Sequence, residues 1–387
     1  MRDFLNRHIR EIQPSGIRKF FDIVSERPDA ISLGVGEPDF DTPSHMVQEG
    51  VRSLQEGRTF YTANAGLIEL REKISDYLLF RNKVKYNPTS EIIVTVGGSE
   101  AIDMALRIFV EKGDEVIIPQ PSFVCYQPIT EIVGGTPVTV AVQAEDQFQL
   151  TPEKLEAVIT DKSKILILSY PNNPTGATMD REALIKIADV VKKHDLLVLT
   201  DEIYAELVYD ESFVSIAELP GMRERTIVIN GFSKGFAMTG WRLGFVAGPE
   251  IFIEQLLKLH QYTIMAAPTA SQYAALAGLK NNWQATVEEM RLSYEERRNY
   301  LHHRLEKMGL PCYKAKGAFY LFPQISHLGL TSEEFALRLL EEENLAVVPG
   351  SAFGNSGEGF IRLSYAYSLE ELKEAMKRLE NFVSKIN

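Results

Sequence analysis

Short runs of valine, isoleucine and leucine recur through the middle of the chain, and each is followed by a polar or glycine-containing turn and a longer amphipathic stretch. The runs cover residues 92–96, 116–119, 165–169, 196–200, 227–230 and 243–247. Uninterrupted apolar runs of this length are typical of strands that are buried on both faces. Between them, Ala101, Ala105 and Ile108 share one stripe of a helix predicted over residues 99–111, and residues 180–194 have a similar spacing. This alternation predicts an α/β fold in which a mostly parallel sheet lies between helices.

The C-terminal part of the chain follows a different pattern. A charged helical stretch over residues 282–308 precedes three strand-like runs, at residues 319–323, 346–348 and 359–364. Thr331-Ser332-Glu333-Glu334 and Ser368-Leu369-Glu370-Glu371 both have the form of capping boxes that open helices. This mixture of elements predicts a second, smaller α+β domain.

The two patterns suggest where the domains begin and end. We expect an N-terminal arm with part of the small domain over residues 1–45, a large domain over residues 46–283 and a small C-terminal domain over residues 284–387. The segment from 16 to 42 is too short to have a core of its own, so we expect it to pack on the small domain.

Composition excludes some classes of function. The formal net charge of -12 and the absence of a basic run argue against nucleic-acid binding. No stretch approaches the roughly 18 apolar residues of a membrane helix, so no membrane partner is expected. Cys125 and Cys312 have neither metal-ligand nor CxxC spacing, which favours a reducing, cytoplasmic location over a disulfide framework.

Polar residues follow several of the predicted strands, where parallel sheets bind their ligands. Gly97-Gly98-Ser99-Glu100 ends a strand and opens a helix, so its backbone N–H groups and the helix dipole could seat a phosphate; an ordinary strand-to-helix turn is the alternative. Asn173 lies in the turn Tyr170-Pro171-Asn172-Asn173-Pro174-Thr175-Gly176, where the following proline holds it extended and would aim its amide into the crevice.

Asp201 comes directly after a buried strand, where an unpaired carboxylate is costly. It could pair with a pyridinium N–H of a cofactor, with Tyr204 reaching the same cavity, or it could cap a following helix. Lys234 lies among small residues in Gly231-Phe232-Ser233-Lys234-Gly235, and Arg242 follows eight residues later. An acid, a lysine amine and a phosphate-binding arginine, which follow one another in this order along the chain, are the groups that pyridoxal phosphate requires.

Arg362 is flanked by Ile361 and Leu363, so a strand would place it on the opposite face from them. That face could be solvent, or the guanidinium could bind a substrate α-carboxylate. The seven histidines show no ligand spacing and the acidic residues are dispersed, so no metal site is predicted.

With these residues, the chain resembles the fold-type I pyridoxal-phosphate enzymes, specifically the class I/II aminotransferases that include bacterial aspartate, aromatic and alanine aminotransferases. The resemblance covers essentially the whole length. It rests on motifs in six places, which are Gly34-Val35-Gly36-Glu37-Pro38-Asp39-Phe40, Tyr61-Thr62-Ala63-Asn64-Ala65-Gly66, Asn173-Pro174-Thr175-Gly176, Asp201-Glu202-Ile203-Tyr204, the Ser-Lys-x₅-Gly-Trp-Arg arrangement from Ser233 to Arg242, and Arg362.

The resemblance implies roles for these residues. Lys234 would form the Schiff base with pyridoxal 5'-phosphate and move the substrate's α-proton. Asp201 would pair with the pyridine nitrogen, and Tyr204 would bind the ring oxygen. The implied cofactor-binding set is Gly98, Ser99, Phe123, Asn173, Asp201, Tyr204, Ser233, Lys234 and Arg242, with Tyr61 contributed by the neighbouring subunit of a homodimer. The implied substrate-binding set is Gly36, Asn173 and Arg362.

The expected function is therefore transfer of an amino group from an L-amino acid to a 2-oxo acid, such as 2-oxoglutarate, by a ping-pong cycle. Some aspartate-specific relatives carry a lysine after the glycine pair, whereas this chain has Ser99, which favours a broad or neutral and aromatic substrate range. The alternatives are a carbon–sulfur β-lyase on the same fold and a cofactor-binding regulator. Such a regulator would carry a DNA-binding module ahead of the fold, where only about a dozen residues stand.

Overall fold

The structure is a computed structural model of the chain. It describes residues 29–280 and 282–386, together with residues 4, 5, 7–12, 14, 16 and 27. Much of the predicted N-terminal arm, and of the segment from 16 to 42, therefore lies outside the described residues.

The described residues form twelve strands and twelve α-helices. The strands are β1 (Ile31–Ser32), β2 (Ile92–Thr95), β3 (Glu115–Gln120), β4 (Thr136–Ala141), β5 (Ser163–Ser169), β6 (Leu197–Asp201), β7 (Thr226–Gly231), β8 (Gly244–Ala247), β9 (Tyr320–Leu321), β10 (Leu345–Ala346), β11 (Val348–Pro349) and β12 (Ile361–Ser364). The helices are α1 (Arg7–Glu11), α2 (Ser44–Gln55), α3 (Ile68–Asn82), α4 (Gly97–Phe109), α5 (Tyr126–Ile132), α6 (Pro152–Glu156), α7 (Arg181–Lys193), α8 (Glu250–Thr263), α9 (Thr269–Lys280), α10 (Trp283–Lys307), α11 (Ser332–Glu343) and α12 (Leu369–Ile386).

A seven-stranded sheet forms the centre of the molecule, in the order β2-β8-β7-β6-β5-β3-β4. Strand β8 runs antiparallel to both of its neighbours, and the other strand pairs are parallel. The α/β prediction is therefore confirmed, and each of the six apolar runs is a strand of this sheet. Strand β4 was missed, because it lies at the edge of the sheet and its residues are mostly exposed or half-buried, so they form no apolar run.

A second, smaller group of strands packs with α10, α11 and α12. Strands β11, β12 and β9 form an antiparallel sheet, while β1 pairs with β10 in parallel, Ile31 opposite Leu345. Leu33 belongs to the same buried cluster as Phe319 and Leu379. The described residues just before the large sheet therefore pack on the C-terminal part of the chain.

Side-chain caps form the starts of several helices, and the two predicted capping boxes are confirmed. The side chains of Thr331 and Glu334 each bond the other's backbone N–H at the start of α11, and Ser368 and Glu371 do the same at α12. Asp180 accepts a hydrogen bond from the N–H of Ala183 and caps α7. Among the described residues, no helix combines the length and the apolar character needed to cross a bilayer.

Candidate active site

A cavity of about 550 Å³ opens where several strands of the large sheet end, beside the small sheet. Every predicted site residue except Tyr61 lines it, although these residues come from distant parts of the chain. They are Gly36, Gly98, Ser99, Phe123, Asn173, Asp201, Tyr204, Ser233, Lys234, Arg242 and Arg362. The Tyr61 side chain lies elsewhere on the surface, and the residue is 81% exposed.

One end of the cavity is suited to an anion. Helix α4 begins at Gly97, so its first N–H groups lack partners within the helix and the positive end of its dipole faces this region. Gly97 has φ +74°, and a Cβ added there would lie only 2.8 Å from Nη2 of Arg242. The missing side chain of Gly97 therefore leaves the space that the Arg242 guanidinium occupies. An arginine beside a helix start is an arrangement that favours phosphate.

Asp201 is the last residue of β6 and is buried. Its Oδ2 accepts a hydrogen bond of 2.7 Å from the hydroxyl of Tyr126, and its Oδ1 accepts one of 3.2 Å from the N–H of Ile203. Burial raises the pKa of Asp201, while these two hydrogen bonds and the charge of Lys234 oppose the rise. The segment after Asp201 is a turn, so the alternative of a helix cap is wrong.

Tyr126 is a site residue that the sequence did not reveal. It opens α5, is fully buried, and its hydroxyl also lies 2.9 Å from Oγ of Ser169 at the end of β5. In the sequence it is one more aromatic residue near the start of a helix, three positions after Phe123. Only the folded chain, in which α5 packs on β3 and β4, brings its hydroxyl to Asp201 at the end of β6.

Lys234 projects into the cavity from the turn after β7. Its Nζ donates a hydrogen bond of 2.5 Å to the backbone oxygen of Gly36. Burial lowers the pKa of Lys234 to about 8; Glu37 opposes this shift, while the positive charges of Arg362 and Arg242 add to it. An amine with this pKa is neutral in a sizeable fraction of molecules near neutral pH, which a nucleophilic or proton-accepting lysine requires.

Arg362 lies on β12 and is only 2% exposed, so the interpretation of its face as solvent was wrong. Its Nη1 donates to Oδ1 of Asn173 at 2.9 Å and its Nη2 donates to the backbone oxygen of Gly34. Its Nε is buried and has no partner among the described residues. A buried guanidinium with an unused donor in a cavity is suited to binding a carboxylate.

These residues fit pyridoxal 5'-phosphate. A Cβ at Gly97 would push the Arg242 guanidinium out of the anion site, so the glycine keeps the arginine where a phosphate would bind. The same cavity holds the buried carboxylate of Asp201 and the amine of Lys234, whose pKa is lowered. No cluster of metal-ligating side chains occurs among the residues that the structure describes.

Known proteins resemble the chain over most of its length. A model of the aminotransferase class I and II family matches residues 28–379. The chain is 49% identical to the aspartate aminotransferase of Pyrococcus abyssi, with 95% of each chain covered. It is 47% identical to the aromatic-amino-acid aminotransferase 2 of Thermococcus litoralis, with 97% of each chain covered.

Solved structures agree. The crystal structure of the aromatic aminotransferase of Pyrococcus horikoshii superposes with a TM-score of 0.91 at 48% identity, covering 95% of this chain and 99% of that one. Family match, identity and fold therefore coincide over nearly the whole chain, and the chain belongs to the class I and II aminotransferases.

Proposed function

We propose that the cavity is the active site of this aminotransferase and that Lys234 carries its cofactor. As a member of its family, the chain is a pyridoxal 5'-phosphate-dependent aminotransferase. The observation that carries the assignment is the position of Lys234, whose amine has a lowered pKa and faces the same cavity as Asp201, Arg242 and Arg362.

When bound, pyridoxal phosphate withdraws electrons from the substrate's α-carbon and makes its proton acidic. Lys234 would take up and return that proton at Nζ. Asp201 would accept the hydrogen bond of the protonated ring nitrogen, and Tyr126 would keep its carboxylate ionised. Tyr204 and Asn173 would bind the ring oxygen. The remaining cofactor contacts are stacking by Phe123 and phosphate binding by Gly98, Ser99, Ser233 and Arg242.

Arg362 would bind the α-carboxylate that every amino-acid substrate carries. Its Nη1 and Nη2 are fixed by Asn173 and Gly34, so the orientation of the guanidinium is set before substrate arrives. Its Nε, which has no partner among the described residues, would be left for the substrate. Gly36 lines the same cavity, and its backbone would contribute to binding the carboxylate.

The donor range follows from the charges in the cavity. Among the described residues that line it, the cations are Lys234, Arg242 and Arg362, and each already has a role. Ser99 and Ile102 supply no charge for a distal carboxylate. We therefore expect neutral and aromatic donors as well as dicarboxylates, with 2-oxoglutarate as an acceptor in a ping-pong cycle. A thousandfold preference for aspartate in kcat/KM over alanine, phenylalanine and tyrosine would contradict this expectation.

A homodimer is the assembly we propose. Several large apolar residues of one protomer are exposed, among them Phe60 and Tyr61 at 81% and Tyr262 at 91%. A hydrogen bond from Gln261 to Asn64 brings the segments that carry these residues together, and exposed apolar residues that lie together mark interaction surfaces. Tyr61 would reach the phosphate of the neighbouring site, which explains its absence from the cavity of its own protomer. Tyr61→Phe should weaken cofactor binding without changing the mass measured by sedimentation.

We also propose the division into an arm (1–45), a large domain (46–283) and a small domain (284–387). The pairing of Ile31 with Leu345 supports assigning the arm's end to the small domain. Cys125 and Cys312 are both free thiols, which supports a reducing, cytoplasmic location.

Borohydride reduction of the holoenzyme, followed by peptide mapping, tests the assignment of Lys234. The reduced cofactor should be attached to Lys234, and Lys234→Ala should lose multiple turnover. An adduct on another lysine would overturn the assignment.

The names of the relatives give no support to the lyase alternative. Pyruvate and ammonia released from cystathionine without an oxo-acid acceptor would revive it.

A further inference from the structure

Tyr320 also lines the cavity. It lies on β9, is fully buried, and its strand pairs with β12, which carries Arg362. Its hydroxyl lies 2.7 Å from the hydroxyl of Tyr204, and its ring centroid lies 4.5 Å from Cζ of Arg362. One side chain thus contacts both the tyrosine assigned to the cofactor's ring oxygen and the arginine assigned to the substrate's carboxylate.

The hydroxyl pair has only one consistent arrangement if Tyr204 serves the cofactor. Burial raises the pKa of both tyrosines, so both keep their protons near neutral pH. Each phenol then has a single proton to donate. If Tyr204 donates its proton to the ring oxygen, Tyr320 must donate to Tyr204. A donor at this position makes Tyr204 a stronger donor in turn, because hydrogen bonds in a chain polarise one another.

The ring of Tyr320 acts on a different partner. The Arg362 guanidinium contacts the rings of both Tyr320 and Phe353, whose centroids are 4.5 and 4.9 Å from Cζ. Two aromatic rings at these distances hold the plane of the guanidinium and offset part of its burial cost.

Space for this arrangement depends on Gly36. A Cβ at Gly36 would lie 2.5 Å from the Tyr320 hydroxyl oxygen, closer than any side chain could remain. The same residue accepts the hydrogen bond of Lys234 through its backbone oxygen. The approach of this loop to Tyr320 is therefore part of the site.

We propose that Tyr320 is a positioning residue with two separable roles: its hydroxyl orients and strengthens Tyr204, and its ring holds Arg362 for the substrate carboxylate. The inference rests on the proposed function of the cavity. It predicts that removing the hydroxyl alone changes the cofactor's environment, whereas removing an aromatic ring weakens substrate binding.

Three variants of the holoenzyme separate these roles. The visible absorbance of the bound cofactor changes with pH, and the midpoint of this change is the quantity to measure. Tyr320→Phe should move this midpoint upward by on the order of 0.5 pH unit, the size expected from weakening one neutral hydrogen bond. Its KM values should stay within about twofold of wild type. Phe353→Leu should leave the midpoint unchanged and raise KM for all amino acids by roughly 3- to 30-fold through loss of one cation–π contact. Tyr320→Leu should show both effects.

Tyr365→Phe is the matched control, since Tyr365 is also fully buried but donates its hydroxyl proton to the backbone oxygen of Ala318. It should change neither the midpoint nor KM. The proposal is overturned if Tyr320→Phe leaves the midpoint unmoved, or if the Tyr320 and Tyr365 variants shift it equally. Failure of the proposed function would look different, because the wild-type enzyme would then carry no reducible cofactor on Lys234.

Discussion

Gly97→Ala offers a sharp test of the anion site, because the structure predicts what the added methyl group does. Gly97 has φ +74°, a conformation that costs an alanine roughly 1–2 kcal/mol. The new Cβ would also lie 2.8 Å from Nη2 of Arg242, so the guanidinium would have to retreat by about 0.6 Å to reach ordinary contact at 3.4 Å. The far end of an arginine can move without unfolding the protein.

The two effects can be separated by Gly309→Ala. Gly309 has the same φ of +74°, and no atom of the described part of the chain lies within 4 Å of an added Cβ. Both variants should lose the same roughly 1–2 kcal/mol in urea unfolding of the apoenzyme. Only Gly97→Ala should also lose cofactor affinity. A charge-assisted hydrogen bond contributes about 1.5–3 kcal/mol, so displacing Arg242 should raise Kd roughly 10- to 150-fold.

The assay is a titration of each apoenzyme with pyridoxal phosphate, followed by absorbance. The Kd of Gly309→Ala should match that of wild type. If Gly97→Ala binds pyridoxal phosphate as tightly as Gly309→Ala, cofactor binding does not depend on the position of Arg242, and the assignment of the phosphate site is wrong. If the Gly97 variant loses much more stability than its control, the backbone at this turn has a further constraint.

Four other predictions concern titration and charge. Asp201→Ala should fold yet slow proton removal by orders of magnitude, and a cofactor analogue with a permanently positive ring nitrogen should recover part of the rate; no recovery would make Asp201 structural. Tyr126→Phe should raise the pKa of Asp201 further, so its rate deficit should be largest at low pH and shrink as pH rises, and a deficit independent of pH would contradict this. The amine of Lys234 is protonated below its pKa of about 8. The rate of cofactor uptake by the apoenzyme should therefore rise nearly tenfold per pH unit up to that pH and then level off. A rate that continues to rise toward pH 10 would show that Lys234 has the pKa of an ordinary lysine. Arg362→Ala leaves neighbouring groups unpaired and removes the carboxylate contact, so kcat/KM should fall by roughly two to four decades for every amino acid alike, and a loss confined to one substrate would refute the assignment.

The sequence by itself determined the layered architecture and the position of the chemistry along it. Continuous apolar runs can be satisfied only by burial on both faces, so the strands that end near Asp201 and Lys234 were predictable. Capping at Thr331 was also predictable, because both partners of the capping box lie within one helical turn of the sequence. The family motifs added roles for residues that the pattern had only located.

Tertiary structure decided what those residues touch. Tyr126 meets Asp201 across 75 residues and Tyr320 meets Tyr204 across 116, and neither pairing leaves a periodic signal in the sequence. Arg362 could have faced solvent by strand alternation alone, but packing of the small sheet buries both faces of β12. Short-range patterns report whether a position is buried and where an element ends. The partner of a buried polar group depends on how separate elements pack, and only the folded chain specifies that.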